Sequence, residues 1–186
     1  MSGTFVAVVG PSGAGKDSLI AYVREHLHSE SVAFVRRVVT RAPDGGTEDH
    51  DTLDGSTFEQ ARSQGQFALT WEAHGLKYGL PRTLEDDLAA GRVVVANLSR
   101  AIIPHLVDRY PTAIVVEVTA ERDVIEQRLA SRGRESADGI RQRLDRTVVE
   151  RLPASTVRID NSGLLETAGQ NLLSLLEDLA RPPQRA

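Results

Sequence analysis

Residues 10 to 16 read Gly10-Pro11-Ser12-Gly13-Ala14-Gly15-Lys16, and this stretch decides the fold. The apolar run Phe5-Val6-Ala7-Val8-Val9 leads into it, and Ser18-Leu19-Ile20-Ala21-Tyr22-Val23 follows with a helical pattern. A strand, a glycine loop ending in lysine and a helix are the context a phosphate-binding loop requires. Gly10, Gly13 and Gly15 let successive backbone N–H groups turn inward, and the helix adds its positive end. Lys16 supplies a compact charge for the β and γ phosphates of a nucleotide. Of 22 basic residues only Lys16 and Lys77 are lysines, so an otherwise arginine-using chain has an ammonium here. The loop residues Gly10 to Lys16, with Asp17 and Ser18, are the expected ATP site. After the lysine such loops usually carry a hydroxyl for Mg²⁺. Here Asp17 comes first and Ser18 second, so Asp17 either meets the metal, directly or through water, or caps the first helical turn.

Working outward, strand and helix patterns alternate, which predicts an α/β fold with a central five-stranded parallel sheet flanked by helices. The expected strands are Thr4–Val9, Val32–Val39, Arg92–Asn97, Ala113–Thr119 and Thr156–Asp160. Ser56-Thr57-Phe58-Glu59 has capping-box spacing, and Thr83 precedes the acidic residues Glu85, Asp86 and Asp87 of another first turn, closed by Gly91. Ser99–Tyr110 and Arg122–Ala130 fill further crossovers. Leu164–Ala180 is an amphipathic helix with Leu172, Leu173, Leu175, Leu176 and Leu179 as its apolar stripe. One domain spans 1–186, with a core at about 1–35 and 92–180. Two stretches exceed a minimal sheet-and-helix layer. The first, about 36–91, carries a weak strand pattern at Phe67–Trp71 and suggests an acceptor-binding insertion. The second, about 131–146, holds Arg132, Arg134, Arg141, Arg143 and Arg146 and suggests a lid.

Composition bounds the function. At 186 residues, 40% hydrophobic and 26% charged, the chain is an ordinary globular protein with enough length for a core. A net charge of −4 argues against a nucleic-acid binder. There is no cysteine for a disulfide framework, and no apolar run long enough to span a bilayer. A cytoplasmic enzyme with no membrane or nucleic-acid partner is the expectation, and no residue pattern signals an oligomeric state.

Three constellations add chemistry. Arginines that close over phosphates stabilise charge in a dissociative transition state and exclude water, and Arg132 and Arg143 are the candidates. In a strand continuing through Arg36-Arg37-Val38-Val39-Thr40-Arg41, Arg37 and Arg41 share one face and form a forked donor pair for a phosphate. In Trp71-Glu72-Ala73-His74-Gly75-Leu76-Lys77-Tyr78-Gly79, Trp71 reads as core. Tyr78 can offer its hydroxyl to a phosphate, with Gly79 permitting close backbone approach. His50 and His74 are not spaced as a metal pair.

The order of these parts resembles guanylate kinase and its relatives: the loop, Thr40-Arg41-Ala42-Pro43, Trp71 with Tyr78-Gly79, and Arg132-Gly133. That resemblance runs from Phe5 to about Leu176. It implies acceptor-phosphate ligands at Arg41 and Tyr78, a phosphate-side position for His50, and lid arginines at Arg132 and Arg143. The departures fall on guanine recognition: Asp44 replaces an arginine, Thr70 a glutamate, Leu80 a small hydroxyl, and Ala96-Asn97-Leu98-Ser99-Arg100 an Asp-x-Asp segment. A site built on base hydrogen bonds discriminates by orders of magnitude, so losing them argues against guanylate. Gly15-Lys16-Asp17-Ser18, Ala73-His74-Gly75-Leu76 and Asn97-Leu98-Ser99-Arg100 instead resemble the ribose 1,5-bisphosphate phosphokinases of phosphonate catabolism. This implies transfer of the γ-phosphate of ATP, with Mg²⁺, to the 1-phosphate of a phosphosugar. Arg37, Arg41, His74, Asn97, Ser99 and Arg100 would serve as its cationic and hydroxyl partners. The alternatives are a nucleoside monophosphate kinase of altered base preference and a non-catalytic guanylate-kinase-like binding module; Lys16, Arg132 and Arg143 argue against the latter.

Lys16→Ala should leave the circular dichroism spectrum unchanged and lower phosphoryl transfer by roughly a hundredfold or more. Activity within about tenfold of the parent would remove the loop lysine from the chemistry.

Overall fold

β1 (Thr4–Val9) shows why the core has two faces. Phe5, Ala7 and Val9 belong to one buried cluster and Val6 and Val8 to another, as the two-residue period of a strand dictates. The computed structural model describes residues 3–41, 50–73, 75–131 and 152–181. Around β1 lie β2 (Val32–Phe34), β7 (Val93–Asn97), β8 (Ile114–Thr119) and β9 (Val157–Asp160), in the order β2-β7-β1-β8-β9. Every pairing is parallel, with Val8 opposite Asn97 and Val9 opposite Glu117. The expected five-stranded parallel sheet is present.

Helices cover both faces because each carries an apolar stripe matching one cluster. On the Val6–Val8 face, α1 (Lys16–His26) brings Leu19 and Val23, and α6 (Leu165–Ala180) brings Leu172, Leu173 and Leu176. On the Phe5–Val9 face, α3 (Leu84–Ala89) brings Leu84 and Leu88, and α4 (Ile103–Arg109) brings Ile103 and Leu106. Tyr110 stacks on Phe5 with centroids 5.4 Å apart. Its hydroxyl donates to Glu85 at 3.2 Å, and Arg109 donates to the same carboxylate, so α3 and α4 are tied together. The Arg109 hydrogen bond holds the Glu85 carboxyl below its ordinary value.

The structure departs from the sequence expectations chiefly between residues 32 and 91. Val32–Val39 is not one strand. β2 stops at Phe34, Val35 N–H makes a last bond to Val95 O at 2.9 Å, and β3 (Arg37–Val39) begins in a different sheet. That second sheet has the order β4-β3-β6-β5, adding β4 (His50–Thr52), β5 (Phe67–Ala73) and β6 (Leu76–Pro81). β4 runs parallel to β3, while β6 is antiparallel to both β3 and β5. The β5 pattern was legible in advance, and β3 lay inside the expected Val32–Val39 strand, though in another sheet. The sheet is held on the Phe5–Val9 face by Leu69, Trp71 and Leu80.

Helix starts also differ in detail. α2 (Gly55–Ser63) is capped by Asp54, whose carboxylate accepts from Ser56 N–H and Thr57 N–H at 2.9 Å each, rather than by Ser56. The Ser56 hydroxyl is the largest cause holding the Asp54 carboxyl well below the usual carboxylate range. Glu59, expected to reach back in a capping box, pairs instead with Lys77 and Arg62. The segment from Ser99 begins as a single 3-10 turn at Arg100–Ile102 before α4.

Gly169 sits inside α6, where alanine is normally better by about 1 kcal/mol. A Cβ there would lie 2.3 Å from Tyr22 Cδ1 on α1. Overpacking of this kind costs about 1–3 kcal/mol, so Gly169→Ala should lower stability despite the gain in helix propensity. Urea unfolding measures it; a stabilised variant would show that Tyr22 moves aside freely.

Candidate functional site

The glycine loop closes between the ends of β1 and α1. Gly10, Gly13 and Gly15 all have positive φ, at 145°, 87° and 91°. Gly15 is the residue that caps α1, and Leu19 N–H returns to Gly15 O at 3.0 Å. Lys16 Nζ folds back over the loop and donates to Gly10 O at 2.9 Å and Pro11 O at 3.0 Å. Ser18 is exposed on the first turn of α1.

Asp17 does not cap that helix through its side chain; no such bond is made there. Its Oδ1 accepts from Asn97 Nδ2 at 2.5 Å, across 80 residues of chain. Asn97 ends β7, the immediate neighbour of β1, and is 9% exposed. With its amide donating to Asp17, its own Oδ1 is buried with no hydrogen-bond partner among the described residues. Ligands of open α/β sheets collect outside the carboxyl ends of such strands.

The second sheet brings its candidates to the same place. Arg37 Nη1 approaches Asn97 O at 3.5 Å, and its guanidinium lies 5.9 Å from the centre of the Tyr78 ring. Tyr78 stacks in turn on Trp71 at 5.2 Å, nearly coplanar at 10°, and Trp71 is 8% exposed, core as expected. His50 stands opposite Arg37 in the β3–β4 register, and Tyr78 opposite Val39. Arg37, His50, Tyr78 and Asn97 are thereby gathered from four separate strands.

Two expectations change here. β3 ends at Val39, so strand alternation does not extend to Arg41 and gives no basis for pairing it with Arg37 on one face. Gly79 makes room for the Phe67 ring, whose nearest atom would lie 2.6 Å from an added Cβ, so its smallness has a packing cause. Ser99 Oγ accepts from Ala101 N–H at 3.4 Å and starts the 3-10 turn that Arg100 enters. His74, Arg132 and Arg143 lie outside the described residues.

Sequence reasoning missed the group behind the loop. Asn161 follows β9, is 1% exposed and donates from Nδ2 to Ala14 O at 2.7 Å. Arg128 of α5 (Arg122–Ser131) approaches the same oxygen at 3.5 Å. The available signal was positional, since Asn161 comes directly after a strand of the parallel sheet.

Comparison with known proteins adds the following. No protein-family model matches the chain. It is 50% identical over 182 residues to the ribose 1,5-bisphosphate phosphokinase PhnN of Chelativorans sp., covering 96% of this chain and 87% of that one. It is 48% identical over 178 residues to the ribose 1,5-bisphosphate phosphokinase PhnN of Burkholderia pseudomallei, covering 95% and 96%. Among solved structures, guanylate kinase from Anaplasma phagocytophilum superposes with a TM-score of 0.70 at 19% identity, over 98% of this chain and 88% of that one. The last similarity concerns the fold alone.

Proposed function

The chain belongs to the ribose 1,5-bisphosphate phosphokinase family, and we propose that it transfers the γ-phosphate of ATP to the 1-phosphate of ribose 1,5-bisphosphate. The products are 5-phosphoribosyl 1-diphosphate and ADP. The observation that carries this reading is the pairing of an intact glycine–lysine loop with an acceptor sheet lacking groups for a purine edge. Thr70 and Leu80 stand at two positions that the resemblance assigns to base reading, and Leu80 is buried. Arg37, Tyr78 and His50 offer cationic and hydroxyl partners suited to phosphates and sugar hydroxyls.

In this mechanism the loop N–H groups and Lys16 carry the nucleotide phosphates and the charge that develops on them. The acceptor oxygen belongs to an already ionised phosphate, so no residue has to remove a proton; orientation and charge stabilisation are sufficient. Arg41 and Tyr78 bind the acceptor phosphate, with Arg37 beside them. Asn97, Ser99, Arg100 and His74 address the sugar and its second phosphate. Arg132 and Arg143 close over the transferred group and exclude water.

Magnesium fits the donor set. Asp17 supplies a hard carboxylate, and the buried Asn97 Oδ1 beside it lacks a protein partner. Among the described residues no cluster of three or more acidic or histidine ligands forms a metal cage. That is the pattern of an ion held by one carboxylate, water and substrate phosphates. Such an ion, when bound, would offset the negative charge of the transferring phosphates. Asp17 is then the residue that holds it, with Ser18 as a further hydroxyl close by. No helix among the described residues is long and apolar enough to cross a membrane.

Acceptor choice tests the reading directly. With Mg-ATP and each acceptor in turn, ion-exchange chromatography should show 5-phosphoribosyl 1-diphosphate forming faster than GDP; the reverse order would overturn it. Asp17→Asn tests the metal role, since it keeps a polar oxygen but removes the charge. The magnesium concentration for half-maximal rate should rise markedly while the melting temperature without nucleotide barely moves. An unchanged magnesium requirement would leave Ser18, water and phosphate oxygens as the ion's partners.

A further inference from the structure

The Ala14–Gly15 peptide is held from behind by a side chain that no part of the proposed reaction uses. Asn161 reaches Ala14 O from the opposite end of the sequence, 147 residues away. Its own position is well determined. The Asn161 N–H donates to Thr119 O at 2.8 Å, continuing the β8–β9 pairing by one residue. The next residue, Ser162, donates to Asp160 Oδ1 through its hydroxyl at 2.6 Å and its N–H at 3.2 Å. The Ser162 hydroxyl oxygen also accepts from Glu121 N–H at 2.8 Å, which joins this turn to the start of α5. Asn161 therefore projects from a braced corner.

Three observations make its amide more than filler. Ala14 is fully buried, so its carbonyl must be satisfied from within the protein. Asn161 Oδ1 is buried with no hydrogen-bond partner among the described residues, so the donor end alone orients the amide. A Cβ on Gly15 would lie 2.3 Å from Asn161 Nδ2, so the loop and this side chain are in direct contact at the turn into α1.

A trans peptide is planar, and its C=O and N–H point in opposite directions. Fixing Ala14 O toward Asn161 therefore fixes the Gly15 N–H toward the other side of the same plane. The Lys16 ammonium folds over the same loop onto Gly10 O and Pro11 O. We infer that Asn161 is a positioning residue for the phosphate loop: by holding the Ala14 carbonyl backward it presents the Gly15 N–H to a nucleotide phosphate. Without that bond only the longer Arg128 contact, at 3.5 Å, holds the Ala14 carbonyl, and a rotated 14–15 peptide would meet the anion with its carbonyl dipole in place of its N–H. This inference rests on the reading that the loop binds a nucleotide, and not on the identity of the acceptor.

Asn161→Asp preserves volume but cannot donate when ionised, and Asn161→Ala removes the group. Titration calorimetry with ADP should show both variants binding roughly ten- to hundredfold more weakly, the loss of one hydrogen bond to a charged phosphate. The KM for ATP should rise accordingly while the KM for ribose 1,5-bisphosphate stays within about twofold, a split that general loosening of the fold would not produce. Ser162→Ala, which unbraces the same corner without touching Ala14 O, should lower the melting temperature and leave ADP affinity within about twofold. In the parent protein, the Gly15 amide proton should move downfield on adding ADP, a measurement that needs no variant. Parent-like ADP affinity in folded Asn161 variants, or a Gly15 amide that does not respond to ADP, would overturn the inference. If ADP fails to bind the parent protein at all, the nucleotide reading itself falls. If ADP binds as described but ribose 1,5-bisphosphate is not phosphorylated, only the acceptor assignment falls.

Discussion

A glycine turn squeezed between the ends of parallel strands is the constraint on which the rest depends. Gly10 turns away from β1 so close to β8 that a Cβ would lie 2.2 Å from Val118 O, and Gly15 is equally tight against Asn161. The turn is therefore possible only where β8 lies beside β1 and β9 beside β8, and it orders the parallel sheet as much as the sheet orders it. Its backbone cannot satisfy itself, because N–H groups gathered on the concave side leave carbonyls facing the interior. Asn161 and Arg128 meet one such carbonyl from behind.

From that turn the site grows by contacts between distant segments. Asp17 leaves the loop and is held by Asn97 at the end of the neighbouring strand. Asn97 also offers its backbone oxygen to Arg37, and Arg37 lies against the Tyr78 ring of the second sheet. The glycine loop and the second sheet are thus linked through one buried residue. An asparagine suits that place because it donates to a carboxylate with one end and keeps an acceptor at the other, without adding a second negative charge.

Legibility in the sequence followed the range of the interaction. The loop, its lysine, the five core strands and the apolar stripe of α6 were readable because each is written in spacing over a few residues. The second sheet was less so: β3 lay inside the expected Val32–Val39 strand with nothing local to mark its change of sheet, and β4 is only three residues long. Val32–Val39 reads as a single β-branched run, but β2 is an edge strand and the chain departs from it at Arg36 to join the other sheet. Local spacing also favoured Ser56 as a cap, where Asp54 stands two residues earlier and takes the Ser56 and Thr57 N–H groups on one carboxylate oxygen.

The sequence by itself determined the fold class, the glycine–lysine loop between a strand and a helix, and the family, because these depend on residue types at short, fixed intervals. Only the tertiary structure decided what Asp17 does and what stands behind the loop. A carboxylate after the lysine can cap a helix, yet that of Asp17 meets Asn97, 80 residues away. Asn161 carries no motif at all; its role comes from the corner where β9 ends, 147 residues from the carbonyl it holds. Hydrogen-bond direction is a property of positions in space, and for these two asparagines the chain meets its partner only once the sheet has formed.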